Sequence, residues 1–89
     1  MSAPGKITVY RTGWCPYCER THQLLTQKGL AFTEIDVEED STKRAEMIAR
    51  SGRRTVPQIF IGEKHIGGCD DLVALAASGE LDRIIQGAQ

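Results

Sequence analysis

The chain has 89 residues, a formal net charge of −1 and an ordinary globular composition, with 40% hydrophobic and 26% charged residues. This length predicts one small domain over residues 1–89, and the nearly neutral charge gives no basis for binding nucleic acid or an anionic membrane. The N-terminal sequence MSAPGK lacks the features of a signal peptide, and no apolar run is long enough to span a bilayer. We therefore expect a cytoplasmic protein, in a compartment that disfavours permanent disulfides.

The first half of the chain alternates between strand and helix patterns. Strands are predicted at Ile7–Tyr10 and Phe32–Val37, which are rich in β-branched and aromatic residues. Helices are predicted at Pro16–Lys28 and from Asp40 to Gly52. The apolar residues that these helices should turn towards the core are Leu24, Leu25, Ala45, Ile48 and Ala49. This β-α-β-α order predicts two parallel strands joined by a right-handed crossover.

The second half predicts two strands and a helical C-terminus. Gln58–Ile61 and Lys64–Ile66 read as strands on either side of a two-residue turn. Two apolar stripes at helical spacing follow, with a bend or break expected near Gly79. The full order β-α-β-α-β-β-α predicts an α/β fold with a four-stranded mixed sheet flanked by helices. Cys15 should lie at the end of the first strand.

The segment GWCPYCER at residues 13–20 holds two of the three cysteines. Because it follows a strand and opens a helix, free backbone N–H groups and the helix dipole should favour a thiolate at Cys15. Pro16 suits the first helical position, where a missing N–H costs nothing. Cys18 lies one turn further in, with less access to solvent. The pattern predicts a working dithiol in which Cys15 attacks and Cys18 resolves.

Two other interpretations of this cysteine pair remain open. One is a structural disulfide that staples the turn. The other is a zinc site made by Cys15, Cys18, His22 and Cys69. His22 would fall on the second turn of the helix, and tetrahedral zinc sites usually take their ligands from two separate knuckles. We therefore expect no metal.

Three sequence blocks resemble the glutaredoxins, in particular the small bacterial glutaredoxin 3 class with a CPYC dithiol. They are CPYC at 15–18, TVPQIFI at 55–61 and IGGCDDL at 66–72, in a resemblance that runs from about Lys6 to the end of the chain. It implies a thioredoxin-like fold and a glutathione-dependent oxidoreductase that reduces protein–glutathione mixed disulfides and protein disulfides. Glutathione would serve as reductant and co-substrate, with no permanently bound cofactor. The implied protein is a monomer that acts on disulfide-containing or glutathionylated proteins, ribonucleotide reductase being a family-level candidate.

The resemblance also implies a glutathione-binding surface. Val56 would pair its backbone with the cysteinyl part of glutathione, beside a cis Pro57 that faces Cys15. Backbone N–H groups of Cys69 and Asp70 would bind the γ-glutamyl carboxylate, and an aspartate side chain would bind its ammonium. The implied glutathione-binding residues are Tyr17, Arg53, Thr55, Val56, Pro57, Gly68, Cys69, Asp70 and Asp71. Cys69 is expected to be dispensable for turnover.

The chain departs from the family pattern at two positions. Many glutaredoxins carry a lysine three residues before the first cysteine, but this chain has Thr12 there and Arg11 one residue further back. Arg53 and Arg54, immediately before Thr55, could supply the missing charge for the glycyl carboxylate, and of the two we expect Arg53 to do so. Trp14 immediately precedes Cys15, where it shields the thiolate, enlarges the binding surface or packs against the domain.

Two rival functions also remain open. The first is a glutaredoxin-like electron donor that is reduced by thioredoxin reductase, against which the TVP and GGCDD sequences argue as glutathione anchors. The second is a carrier in which Cys15 and glutathione bridge an iron–sulfur cluster between two subunits. Members that do this often have CGFS, so Pro16 and Cys18 argue against it.

Overall fold

A computed structural model describes residues 6–87, within which the chain forms four strands and four helices. The elements are β1 Ile7–Arg11, α1 Pro16–Gln27, β2 Phe32–Asp36, α2 Ser41–Ser51, β3 Gln58–Ile61, β4 Lys64–Gly67, α3 Cys69–Ser78 and α4 Glu80–Gly87. The predicted strands agree with these bounds to within one residue. The N-terminal segment on which the targeting prediction rests lies almost entirely outside the described residues.

The strands form one mixed sheet in the order β2-β1-β3-β4. β1 runs parallel to β2, with Ile7 opposite Phe32, and antiparallel to β3, with Ile7 opposite Ile61. β3 and β4 form an antiparallel hairpin. Parallel strands cannot be joined by a tight turn, so α1 serves as the crossover from β1 to β2. The predicted four-stranded mixed sheet with flanking helices is confirmed.

Helices cover both faces of the sheet. Successive residues of each strand point to opposite sides, so each face carries apolar side chains that a helix can bury. Ile7 and Val9 of β1 enter the larger hydrophobic cluster, which brings in α1, α3 and α4. Tyr10 enters the second cluster, with Met47 of α2. The buried residues of the larger cluster are Ile7, Val9, Leu25, Ile59, Ile61, Leu72 and Leu81.

The inward face of α2 differs from the predicted one. Ala45 and Ala49 are exposed, Ile48 is half-buried, and the fully buried residue is Met47. The flexible Met47 side chain reaches the sheet, where a methyl group would leave a gap. The same face also carries polar residues that bond to the sheet, which an apolar pattern does not detect. The predicted stripe is therefore wrong at Ala45 and Ala49 but confirmed at Ile48, which packs against the second cluster.

The C-terminal helix is divided into two. α3 ends at Gly79, which adopts the left-handed conformation at φ 83°, and α4 begins at the next residue. Each half buries one leucine completely, Leu72 in α3 and Leu81 in α4. The interruption expected near Gly79 is therefore a complete break.

Candidate active site

The N-terminus of α1 presents Cys15. This residue is the N-cap, with extended backbone angles, and its Sγ accepts a hydrogen bond from the Cys18 backbone N–H at 3.3 Å. Pro16 occupies the first turn, as predicted. β1 ends at Arg11, so a short loop at 12–14 separates Cys15 from the strand. Cys15 thus lies beyond the strand end, because the chain must turn before the helix can start.

The two cysteines of the motif lie in different environments. Both are free thiols, but Cys15 is half-buried whereas Cys18 is 0% exposed. Burial, together with the hydrogen bond to Cys15, raises the pKa of the Cys18 thiol to about 12. Cys18 is therefore protonated at neutral pH and out of reach of a disulfide in solution. Since a nucleophilic cysteine must be accessible to its substrate, Cys15 is the one suited to attack.

A surface groove of about 240 Å³ lies beside this motif. Three segments form it: Tyr17 of α1, the loop before β3 and the N-terminus of α3. Its lining residues are Tyr17, Arg53, Thr55, Val56, Pro57, Gln58, Gly68, Cys69, Asp70 and Asp71. The structure thus brings together every residue of the implied glutathione-binding set. It adds Gln58, for which the sequence predicts only a place at the start of a strand.

Cys15 does not line this groove. It lies in an adjoining depression of about 340 Å³ with Gly13, Trp14, Pro16 and Glu19. Trp14 is 88% exposed, so the alternative in which it packs against the domain is wrong. Cys15 therefore shares its depression with an exposed indole, and the groove begins two residues further along, at Tyr17.

The loop before β3 is hydrogen-bonded to the buried side chain of Gln58. The Val56–Pro57 peptide bond is cis, as expected. The Gln58 side chain is fully buried and donates from Nε2 to the Thr55 carbonyl at 3.0 Å and to Thr55 Oγ1 at 3.2 Å. Its Oε1 lies 2.7 Å from His65 Nε2 of β4. The exposed loop thus rests on a buried polar side chain.

The N-terminus of α3 forms the opposite wall of the groove. Asp71 Oδ2 accepts the Gly68 N–H at 3.0 Å, which caps the helix and leaves Oδ1 for another donor. Gly67 has φ 121°, and a Cβ there would lie 2.2 Å from Asp71 Oδ2. The first glycine of the GGCDD block is therefore required by both backbone conformation and space.

Two arginines could supply the charge that a lysine supplies in other glutaredoxins. Arg11 is committed elsewhere, because its guanidinium contacts Glu19 at 2.5 Å and Glu34 at 2.6 Å and is only 13% exposed. Arg53 lines the groove with a side chain 54% exposed, and its Nη1 lies 3.8 Å from Asp71 Oδ2. The geometry therefore favours Arg53 as the cation of the groove.

The histidine considered as a zinc ligand contacts a carboxylate. His22 Nδ1 lies 3.1 Å from Glu34 Oε1, and its ring packs edge-on against Phe32. Within residues 6–87 no group of three or more His, Cys, Asp or Glu side chains is placed to hold a metal ion. In the same part of the chain, the helices are all too short or too polar to cross a bilayer.

Comparison with known proteins identifies the family. The glutaredoxin family model matches residues 7–66. Glutaredoxin 3 of Escherichia coli strain K12 is 52% identical over 80 residues, which are 90% of this chain and 96% of that protein. The solution structure of glutaredoxin from Brucella melitensis is 47% identical with a TM-score of 0.83, over 98% of this chain and 95% of that one. The crystal structure of a buckwheat glutaredoxin–glutathione complex is 33% identical with a TM-score of 0.82, over 92% of this chain and 79% of that one.

The family match covers more than half of the chain, and the fold, the CPYC motif and the groove agree with it. The chain therefore belongs to the glutaredoxin family and is a glutathione-dependent thiol–disulfide oxidoreductase with a CPYC dithiol.

Proposed function

We propose that Cys15 is the nucleophile that removes glutathione from glutathionylated proteins. Its thiolate attacks the glutathione sulfur of the mixed disulfide, the S–S bond breaks, and the protein thiolate leaves and takes up a proton. Glutathione is then bonded to Cys15. A second glutathione thiolate attacks that glutathione sulfur, which releases glutathione disulfide and restores the Cys15 thiolate. The accessible position of Cys15 at a helix N-terminus, next to the groove, supports this role.

For protein disulfides, Cys18 has the resolving role. Cys15 attacks the substrate and forms a mixed disulfide, and Cys18 then attacks Cys15 Sγ to release the second substrate thiol. The Cys18 thiol gives up its proton in this step, and the departing substrate thiolate can accept it. Two glutathione molecules reduce the resulting Cys15–Cys18 disulfide. The bond from the Cys18 N–H to Cys15 Sγ supports this assignment, because it keeps the residues on one turn.

The groove is the proposed glutathione-binding site, and its polar groups match the three charged groups of glutathione. The N–H groups of Cys69 and Asp70 at the start of α3 suit the γ-glutamyl carboxylate. The open Oδ1 of Asp71 suits the ammonium, and Arg53 suits the glycyl carboxylate. The backbone of Val56 is available to pair with the cysteinyl unit. The remaining walls of the groove are formed by Tyr17, Thr55, Pro57 and Gly68.

We also propose that the polypeptide part of a substrate lies on the Trp14 side of Cys15. With glutathione in the groove, the depression that holds Cys15 stays open, and the exposed indole there offers an apolar contact. The protein substrates belong to the class of disulfide-containing or glutathionylated proteins, with ribonucleotide reductase as a candidate. We expect residues 1–89 to act as a single, monomeric glutaredoxin domain in the cytoplasm.

The observation that carries the proposal is the groove beside Cys15, which gathers the whole implied glutathione-binding set. The test is glutathione-coupled reduction of a small mixed disulfide with glutathione reductase and NADPH. We expect turnover by the wild type, none by Cys15→Ser, and retained turnover by Cys18→Ser. With a protein disulfide as substrate, Cys18→Ser should be inactive. Loss of both activities in Cys18→Ser would contradict the assigned roles.

The same assay separates the rival functions. If the protein is active only when thioredoxin reductase replaces glutathione, it is an electron donor that thioredoxin reductase reduces. An absorption spectrum of protein purified without oxygen would reveal an iron–sulfur cluster. Cys69→Ser should turn over like the wild type, since Cys69 contributes its backbone and its side chain is 4% exposed.

A further inference from the structure

The orientation of the Gln58 amide is determined by its surroundings. One end faces the Thr55 carbonyl at 3.0 Å and Thr55 Oγ1 at 3.2 Å. A carbonyl can only accept a hydrogen bond, so the end that faces it must be the NH₂ group. The other end, Oε1, therefore faces His65 Nε2 at 2.7 Å and needs a donor there. The bonds lead from β4 through a buried glutamine to an exposed loop of the groove.

This arrangement also determines the tautomer of His65. Because Gln58 Oε1 accepts, Nε2 of the imidazole must carry the proton, and in the neutral ring Nδ1 is left without one. The ring is held in place by Phe60, whose centroid lies 4.9 Å away. His65 is half-buried, and the groove does not include it. Its hydrogen-bonded connection to the groove runs through Gln58.

We propose that His65 is a positioning residue for glutathione binding, which acts by donating its Nε2–H to Gln58 so that Gln58 holds Thr55 and the loop before β3. The proposal rests on the proposed role of this loop in pairing with glutathione through Val56. A loop that must present one backbone N–H and one carbonyl to a ligand binds best when it is already ordered. Thr55 is exposed, so its two bonds to Gln58 supply that order from inside the domain.

Loss of the donor should affect binding rather than chemistry. Without the His65 Nε2–H, Gln58 Oε1 would be a buried acceptor with no partner, and the amide could turn over and release Thr55. We expect the KM for a small glutathione mixed disulfide to rise roughly tenfold, the size typical of one unsatisfied buried group. The kcat and the rate of Cys15 alkylation by iodoacetamide should change less than about twofold, since neither depends on how the loop holds glutathione.

Two substitutions separate the hydrogen bond from the ring. His65→Phe keeps an aromatic ring against Phe60 but has no donor, whereas His65→Gln loses the ring and restores an N–H near the position of Nε2. The KM should rise in His65→Phe and stay within about threefold of wild type in His65→Gln. If His65→Phe binds glutathione as well as the wild type, or if both variants lose binding equally while remaining folded by circular dichroism, the proposal is overturned.

Nuclear magnetic resonance of the wild type gives a test that needs no variant. The ring of His65 should be the Nε2–H tautomer at neutral pH, where burial first, and then the charge of Arg53, hold its pKa below the usual value. A neutral ring with its proton on Nδ1 would remove the basis of the proposal.

Titration with S-methylglutathione, which cannot react with Cys15, separates this inference from the proposed function. The Val56 and Asp70 amide signals should shift in the wild type, and the dissociation constant from this titration should be about tenfold higher in His65→Phe. That result supports both the proposed binding site and the role of His65. Absence of these shifts in the wild type would remove the proposed binding site. Equal dissociation constants for the wild type and His65→Phe would leave the proposed site intact and refute the role of His65.

Discussion

At the scale of single residues, the two cysteines of one short motif differ because their surroundings differ. Cys15 is the half-buried N-cap of α1, whereas Cys18 is enclosed one turn further along. Burial is the largest cause of the raised Cys18 pKa, and the contact with Cys15 adds to it. The proposed roles of attacking and resolving cysteine rest on this difference in access and on the raised pKa of Cys18, since the two side chains are chemically identical.

The raised pKa of Cys18 predicts a loss of stability in alkali. An unfolded thiol ionises near pH 9, but the folded one ionises near pH 12. Between these values the folded state keeps a proton that the unfolded state has released. The contribution of this thiol to the free energy of unfolding is therefore complete below pH 9 and declines as the pH rises towards 12.

The measurement is urea unfolding under reducing conditions at pH 7.5, 9 and 10 for the wild type and Cys18→Ala. We expect the wild type to lose more stability than the variant above pH 9, by up to about 1.4 kcal/mol per pH unit. Identical pH slopes would show that Cys18 ionises normally in the folded protein. The cavity that the alanine leaves lowers stability by the same amount at each pH, so it does not affect the comparison of the slopes.

At the scale of secondary-structure elements, helix α2 and the start of α3 are held by polar contacts. Arg50 donates to Tyr10 Oη at 2.8 Å, Tyr10 donates to Glu46, and the Arg50 guanidinium lies 4.0 Å from the Phe60 ring centroid. These contacts attach α2 to β1 and β3 in addition to the burial of Met47. A single helix face thus combines one long apolar side chain with charged ones.

Tyr10→Phe should lower the free energy of unfolding by about 1–2 kcal/mol, because it removes two hydrogen bonds to a fully buried side chain while keeping its ring. Lys43→Ala is the matched control on the same helix. Lys43 makes an exposed ion pair with Glu46 at 3.6 Å, so its removal should cost less than about 0.5 kcal/mol. Equal effects in urea unfolding would mean that the buried hydroxyl adds nothing to the attachment of α2.

Gly67→Ala should destabilise the start of α3. The new Cβ would lie 2.2 Å from the Asp71 carboxylate that caps the helix, at a φ of 121° that alanine rarely adopts. Gly52→Ala is the control, because φ is 73° there but no atom lies within 4 Å of the new Cβ.

We expect Gly52→Ala to cost about 1 kcal/mol from backbone strain alone, and Gly67→Ala at least about 1 kcal/mol more. Thermal or urea unfolding measures both. Gly67→Ala should also weaken glutathione binding, because Asp71 must move from its capping position. If Gly67→Ala costs no more than Gly52→Ala, the carboxylate yields without loss and the close approach has no energetic consequence.

At the scale of the whole molecule, the sheet brings together groups that are distant in sequence. Tyr17 enters the groove from α1, Arg53 from the segment after α2 and Asp71 from α3. These elements meet because β1 lies between β2 and β3, so that the start of α1 lies next to the segment leading into β3. The arrangement of charges in the groove therefore belongs to the fold as a whole.

Arg53→Gln should raise the KM for a glutathione mixed disulfide about three- to tenfold, as expected for one partly exposed ionic contact, with kcat nearly unchanged. Added salt should raise the KM of the wild type more than that of the variant. Arg54→Gln is the matched control, since Arg54 is the next residue and does not line the groove. Equal effects of the two substitutions would point to general positive potential in place of a specific contact.

Much of the architecture could be predicted from the sequence because its signals are local. The alternation of β-branched residues, the proline after Cys15 and the glycine at position 79 each act within a few residues. The proposed glutathione-binding set comes from resemblance to a family, because no local pattern identifies it. The predicted face of α2 was wrong at Ala45 and Ala49 because periodicity counts apolar residues, whereas Glu46 and Arg50 face inward to bond with Tyr10.

The amino-acid sequence alone was enough to predict the order of the elements, the placement of the dithiol at a helix start and the family of the protein. The three-dimensional fold was needed to show that Arg11 is bound by Glu19 and Glu34, that Trp14 is exposed and that His65 contacts Gln58. These two groups of features differ in how far apart in sequence the interacting residues lie. Caps and turns depend on neighbouring residues, but ion pairs, burial and buried hydrogen bonds depend on which distant segments the sheet places side by side.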